Sequence, residues 1–245
     1  MSQTLLRAFA AEALGAFALV LAGTGAIVSN ARSGGALGHV GVALTFGLVI
    51  MAMIYATGHI SGAHFNPAVT LGFAVARHFP LRHVLPYLAA QVAGAVLGSL
   101  AVRTLIGKAG GLGVTHPTTG AVSGMMLEGI LTFLLMFVIM AVATDVRAVG
   151  EAAALAIGGT IALEALFAGP ITGASMNPAR SLGPALVAAD VADLWLYLVA
   201  PPLGAALGAL TYRWIGARPT VSAPHASAPI QRDPYPARPD GRRST

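Results

Sequence analysis

Asn66-Pro67-Ala68 and Asn177-Pro178-Ala179 lie at the centres of two fifteen-residue stretches, GHISGAHFNPAVTLG from Gly58 and GPITGASMNPARSLG from Gly169. The stretches share nine residues at an offset of 111. Asn is a strong helix N-cap because its side-chain oxygen accepts from first-turn N–H groups, and Pro at the first helical position needs no donor there. Each triplet therefore predicts a helix start. With the amide oxygen used in capping, the NH₂ groups of Asn66 and Asn177 are left to donate outward. Two such helices meeting nose to nose would set two amide donors and two positive dipole ends at one point. That point would hold a water or hydroxyl oxygen and oppose a cation. A single triplet would mean no more than a capped helix, so the pairing is what points to a site.

Arg180 is the main difference between the copies and stands where the first copy has Val69. A cation in the first turn of a helix is disfavoured by the dipole, so a purely structural role explains it poorly. Just before the triplets, Gly62-Ala63-His64 and Gly173-Ala174-Ser175 are too rich in Gly and Ala for regular spans. Irregular backbone at membrane depth is tolerated where it lines a wet cavity, so their carbonyls are candidate acceptors along a path. Glu12 and Glu128 each precede a Phe by five residues, Phe17 and Phe133. A carboxylate near a membrane helix centre costs at least ~2.5 kcal/mol on insertion scales, so each requires a partner. Glu164 has no evident partner: either it accepts from loop backbone or from Arg180 and shapes the mouth of the filter, or it pairs outside the pore. His59, His64, Gln91 and Tyr55 read as loop supports or packing groups. No spacing suits a metal site or a nucleophile with its base, so neither cofactor nor metal is expected.

The elements that must position these residues lie in a bilayer. Hydrophobic residues make up 56% of the chain and charged ones only 9%, far below the roughly 25% of soluble domains. Six apolar spans fall at about 7–29, 37–57, 84–106, 122–143, 151–169 and 194–215, near the ~20 residues of a crossing helix. Two shorter pieces, about 67–77 and 178–188, follow the triplets and predict half-helices. Ten-residue alternating segments of a transmembrane barrel are absent. No cysteine is present, so disulfides play no part. Residues 217–245 contain six prolines and no hydrophobic period, which predicts a disordered tail.

A second repeat supports the first. YLAAQVAGAVLGSL from Tyr87 matches YLVAPPLGAALGAL from Tyr197 at eight of fourteen positions, offset by 110. The halves, about 7–110 and 120–216, each hold three spans, so the second is inverted relative to the first. Such repeats put a substrate path at their interface. The net charge of +5 reports orientation rather than nucleic-acid binding: Arg7, Arg77, Arg82, Arg147, Arg213 and Arg218 flank one set of loop ends, against Arg32, Arg103 and Lys108 at the other. The positive-inside rule then predicts cytoplasmic termini.

The paired HFNPAVT and MNPARS motifs resemble the aquaporin, or major intrinsic protein, family over about 7–216. The resemblance implies an all-α membrane protein of six transmembrane helices and two re-entrant half-helices. It also implies a pore in each subunit of a homotetramer in the plasma (cell inner) membrane. NPARSLGP is similar to water channels and the nodulin-like intrinsic proteins, in a bacterial-type member; glycerol facilitators usually carry Asp where Ser181 stands. By resemblance, Glu12 and Glu128 brace the re-entrant loops, and Phe46, Ala165, Ala174 and Arg180 form the selectivity constriction. Strictly water-selective members usually have His in place of Ala165. The smaller residue implies passage of glycerol, urea or neutral metalloid hydroxides besides water. A coupled secondary transporter, with Glu164 as its ion or proton site, is the competing reading.

Overall fold

The computed structural model describes residues 3–144 and 152–216. The expected disordered tail, Arg147 and Arg218 lie outside them. Eight helices follow in order: α1 (Gln3–Arg32), α2 (Gly38–Ser61), α3 (Pro67–Val75), α4 (Leu81–Leu105), α5 (Ala121–Thr144), α6 (Ala153–Thr172), α7 (Pro178–Ala188) and α8 (Leu194–Gly216). A short 3₁₀ turn, Ala109–Gly113, joins α4 to α5. Among the described residues six helices are long and apolar enough to cross a membrane. The other two, α3 and α7, have nine and eleven residues. Placed end to end they reach about 30 Å, one hydrocarbon thickness.

The predicted spans match these helices to within four residues at each end: α1 runs further at both ends, α4 starts three residues earlier, and α2 and α6 run on to Ser61 and Thr172. They stop where Gly62 (φ +87°) and Gly173 (φ +83°) turn left-handed, a conformation that glycine adopts without a Cβ penalty.

The repeat in the sequence is a repeat in packing. In both halves the first helix lies on the third long helix, α1 on α4 and α5 on α8, while α2 crosses α6 between the halves. Each half-helix packs chiefly on the last helix of the other half, α3 on α8 and α7 on α4, which interlocks the halves. Glycines allow the close approaches. A Cβ at Gly94 would lie 2.0 Å from the Ala13 carbonyl oxygen, and one at Gly204 would lie 2.2 Å from that of Gly129. Gly98 and Gly208, four residues on, meet Phe17 and Phe133 in the same way. In lipid, where burial drives helix association little, such contact between small residues is what holds helices together.

Candidate pore and its constriction

The half-helices begin as their sequence predicts. Asn66 Oδ1 accepts from Ala68 N–H at 2.8 Å. Asn177 Oδ1 accepts from Ala179 N–H at 2.9 Å and Arg180 N–H at 3.2 Å. The amide groups are not wholly free, and here the structure corrects the expectation. Asn66 Nδ2 donates to Met176 O at 2.8 Å, and Asn177 Nδ2 donates to Phe65 O at 2.9 Å. Each asparagine thus caps its own helix and stitches it to the opposite loop. Those carbonyls belong to residues with φ near +50°, outside any helix, and at membrane depth they need a donor. One N–H of each NH₂ remains, and both asparagines line the same cavity. Pro67, Ala68, Pro178 and Ala179 are buried in the first turns behind them and do not line it.

The two carboxylates hold the loops in place. Glu12 accepts from Ser61 Oγ, His64 N–H, Phe65 N–H and Gln91 Nε2, all within 2.7–2.9 Å. Glu128 accepts from Thr172 Oγ1, Ser175 N–H and Met176 N–H at 2.7–2.8 Å. Ala63, Phe65, Ala174 and Met176 all have positive φ. Non-glycine residues in that region cost about 1–3 kcal/mol each and persist only where surroundings over-determine them. Tyrosines at equivalent positions secure the helix ends: Tyr87 Oη donates to Ser61 O and Tyr197 Oη to Thr172 O. Gln91 and His64 are supports as expected, the latter through Thr70 at 3.0 Å. Tyr55 is not, being 57% exposed, and His59 is exposed as well.

Two cavities run through the interface of the halves. The narrower, about 120 Å³, is walled by Gly62, Ala63, His64, Ala174 and Ser175 together with both asparagines and apolar side chains. The wider, about 470 Å³, reaches Ala165, Gly169, Gly173 and the loop after α4. Phe46 and Arg180 line both and so stand where they meet. Of the other two expected constriction residues, Ala165 lines only the wide cavity and Ala174 only the narrow one. Arg180 is 2% exposed. Its Nη1 donates to Gly113 O at 2.7 Å, and its guanidinium carbon lies 5.0 Å from the centroid of the Phe46 ring, within cation–π range.

Against expectation, Glu164 touches neither Arg180 nor loop backbone. It is buried, and among the described residues neither carboxylate oxygen has a hydrogen-bond partner. Its place on α6 explains this: α6 residues 153, 157, 161, 165 and 169 form the stripe that lines the cavities, and 164 falls one residue off that stripe.

Several contributors lay in the loop after α4. Besides Gly113, Thr115 Oγ1 donates to Ser181 Oγ at 2.9 Å, and Ser181 also bonds Ser175 Oγ at 2.6 Å. His116 lies between Asp193 (2.7 Å) and Asp190 (3.0 Å) at the turn from α7 to α8. The bond to Asp193, with Asp190 beside it, pushes the His116 imidazole above its ordinary value. The signal for this loop was its run of glycines, GKAGGLG; Gly110, Gly111 and Gly113 have φ of +58° to +73°.

Residues 1–212 match the family model described as Major intrinsic protein. The chain belongs to the major intrinsic protein family. It is accordingly a passive membrane channel for water and small neutral solutes, not an enzyme. It is 51% identical to Aquaporin NIP1-1 of Oryza sativa subsp. japonica over 206 residues, 84% of this chain and 72% of that one. It is 48% identical to Aquaporin NIP6-1 of Arabidopsis thaliana, over 85% of this chain and 68% of the relative. The crystal structure of the aquaglyceroporin from Plasmodium falciparum superposes with a TM-score of 0.74 at 27% identity, covering 85% of this chain and 95% of that one.

Proposed function

We propose that this channel selects at Phe46, Ala165, Ala174 and Arg180 and passes neutral solutes wider than water, such as glycerol, urea or neutral metalloid hydroxides. One observation carries the reading: the side chain beside Arg180 and Phe46 on the wide side is the methyl group of Ala165. Pore diameter and lining donors set what passes, and a methyl group leaves room. The solved relative named an aquaglyceroporin fits such a ring. Deeper in the pore, the remaining N–H groups of Asn66 and Asn177 orient passing oxygens, with two half-helix N-termini and Arg180 opposing cations. Gly62, Ala63, His64, Gly173, Ala174 and Ser175 supply acceptor carbonyls.

The channel domain spans 1–216, in repeats of about 7–110 and 120–216, with 217–245 as a tail. The distribution of basic residues favours cytoplasmic termini, with the wide cavity opening outward. We infer a homotetramer in the plasma membrane, each subunit with its own pore. The bacterial-type affiliation finds no support in the plant relatives.

Stopped-flow light scattering on proteoliposomes tests the reading. Water, glycerol and urea are expected to cross with low activation energy and no dependence on an ion or proton gradient. Exclusion of both solutes would refute the wide constriction. Flux that needs a gradient would instead favour a coupled transporter.

A further inference from the structure

His39, the second residue of α2, belongs to none of the motifs above. Pro170 sits inside α6, so the carbonyl of Leu166, four residues back, has no N–H to accept from within the helix. His39 fills that gap, its Nε2 lying 2.7 Å from Leu166 O. A carbonyl can only accept, so Nε2 carries the hydrogen, and in the neutral ring Nδ1 is left as an acceptor. Among the described residues no hydrogen-bond partner falls on Nδ1. Gly169 admits the ring: a Cβ there would come 2.9 Å from His39 Cε1. The imidazole therefore lies against α6 one turn beyond Ala165, in the wall of the wide cavity that also includes Arg180.

That position meets a chemical need. At the constriction Phe46 and Ala165 offer no polar atom, and the guanidinium of Arg180 can only donate. A solute's O–H or N–H groups therefore depend on loop carbonyls such as that of Gly173, or on an acceptor side chain in the wall of the wide cavity. Of the other polar side chains of the wide cavity, Asn30 Oδ1 accepts from Gly38 N–H, both His116 ring nitrogens face aspartates, and Thr118 Oγ1 spends its hydrogen on Ile171 O at 3.2 Å, which leaves its hydroxyl oxygen as a second acceptor beside His39 Nδ1. We propose that His39 is a specificity-determining residue of this pore, its Nδ1 accepting from the O–H or N–H of an entering neutral solute while Arg180 donates to that solute's oxygen. The inference rests on the wide-constriction reading above.

Two substitutions separate shape from hydrogen bonding. His39→Phe keeps a flat ring but can neither donate nor accept, whereas His39→Gln keeps a donor for Leu166 O and an acceptor beside it. In proteoliposomes matched for folded protein, His39→Phe is expected to lower glycerol and urea permeability relative to water by about tenfold, and His39→Gln to recover most of that loss. A Phe variant with the wild-type ratio, or a Gln variant no better than Phe, overturns the proposal. Wild-type protein that conducts water alone would defeat the wide-constriction reading and not this one. A density map of the extracted protein that resolves waters then decides. An ordered oxygen in hydrogen-bond reach of Nδ1 supports the inference, and an Nδ1 bonded to protein or turned from the cavity overturns it.

Discussion

Arg180 is a buried cation with a carbonyl and an aromatic face on two sides; Nη1 makes one of its two possible bonds, while Nε is buried with no partner among the described residues. A group so placed keeps unspent donor capacity for whatever passes. Arg180→Val, which restores the first copy's residue at Val69, is expected to widen the constriction and to admit protons or small cations that the wild type excludes, read as decay of a pH gradient across proteoliposomes. Ala165→His places an imidazole in the room beside Phe46 and should reduce glycerol and urea flux about tenfold more than water flux, about 1.4 kcal/mol of added barrier. Equal loss of all three would remove Ala165 from the constriction. Glu164 behaves differently, since its carboxylate has no hydrogen-bond partner among the described residues. Glu164→Leu is expected to raise the unfolding temperature in detergent and leave water flux unchanged, because a buried polar group without a partner costs stability. A fall in flux would instead reveal a solvent molecule or neighbouring subunit holding that carboxylate.

The half-helices and their loops fold as units braced from one point each. Glu128 accepts three hydrogen bonds across the turn from α6 to α7, and Glu12 does the same for the turn from α2 to α3, with Gln91 as a fourth donor. Glu128→Gln turns one acceptor oxygen into an NH₂ facing N–H groups. Leaving a buried donor unmet costs about 1–3 kcal/mol, against left-handed residues that already store strain. The variant is expected to melt several degrees lower and to lose water flux, as measured by fluorescence-detected thermal unfolding and stopped flow. The long helices depend on glycine in a different way. Gly94→Ala would drive a methyl group into the Ala13 carbonyl, and α1 would have to move off α4, so little folded protein is expected on size-exclusion chromatography.

Across the whole molecule, the loop after α4 ties the two halves over the wide cavity. Gly113 holds Arg180, Thr115 holds Ser181, and His116 joins Asp190 and Asp193. Protonated, His116 can donate to both aspartates; neutral, it can donate to only one. Its value is raised above the ordinary 6.5 by the Asp193 bond first, so its contribution is complete below pH 6.5 and is lost as the pH rises through the folded-state value. Exposure of the imidazole keeps the effect modest. Hydrogen exchange at 114–118, corrected for the intrinsic base-catalysed rate, is expected to lose protection as the pH rises beyond 6.5 in the wild type and to show no such step in His116→Gln. A pH-independent loop would remove the clamp.

Architecture and triplets were legible in the sequence because both depend on local chemistry. Hydrophobic length identifies a span, Asn-Pro identifies a capped start, and a repeat at an offset of 110–111 identifies two inverted halves, whatever the rest of the chain does. The partners across the interface were not legible. That Asn66 donates to Met176 and Asn177 to Phe65 follows only once the two loops meet, and Glu164 falls off the pore stripe by a single residue of helical rotation. His39, with Leu166 as its partner, is 127 positions from it in the chain. Pro170 announces an orphaned carbonyl, but no local rule says which side chain will answer it. That choice is made by the crossing of α2 on α6, a packing decision in which distant segments meet through small residues such as Gly169.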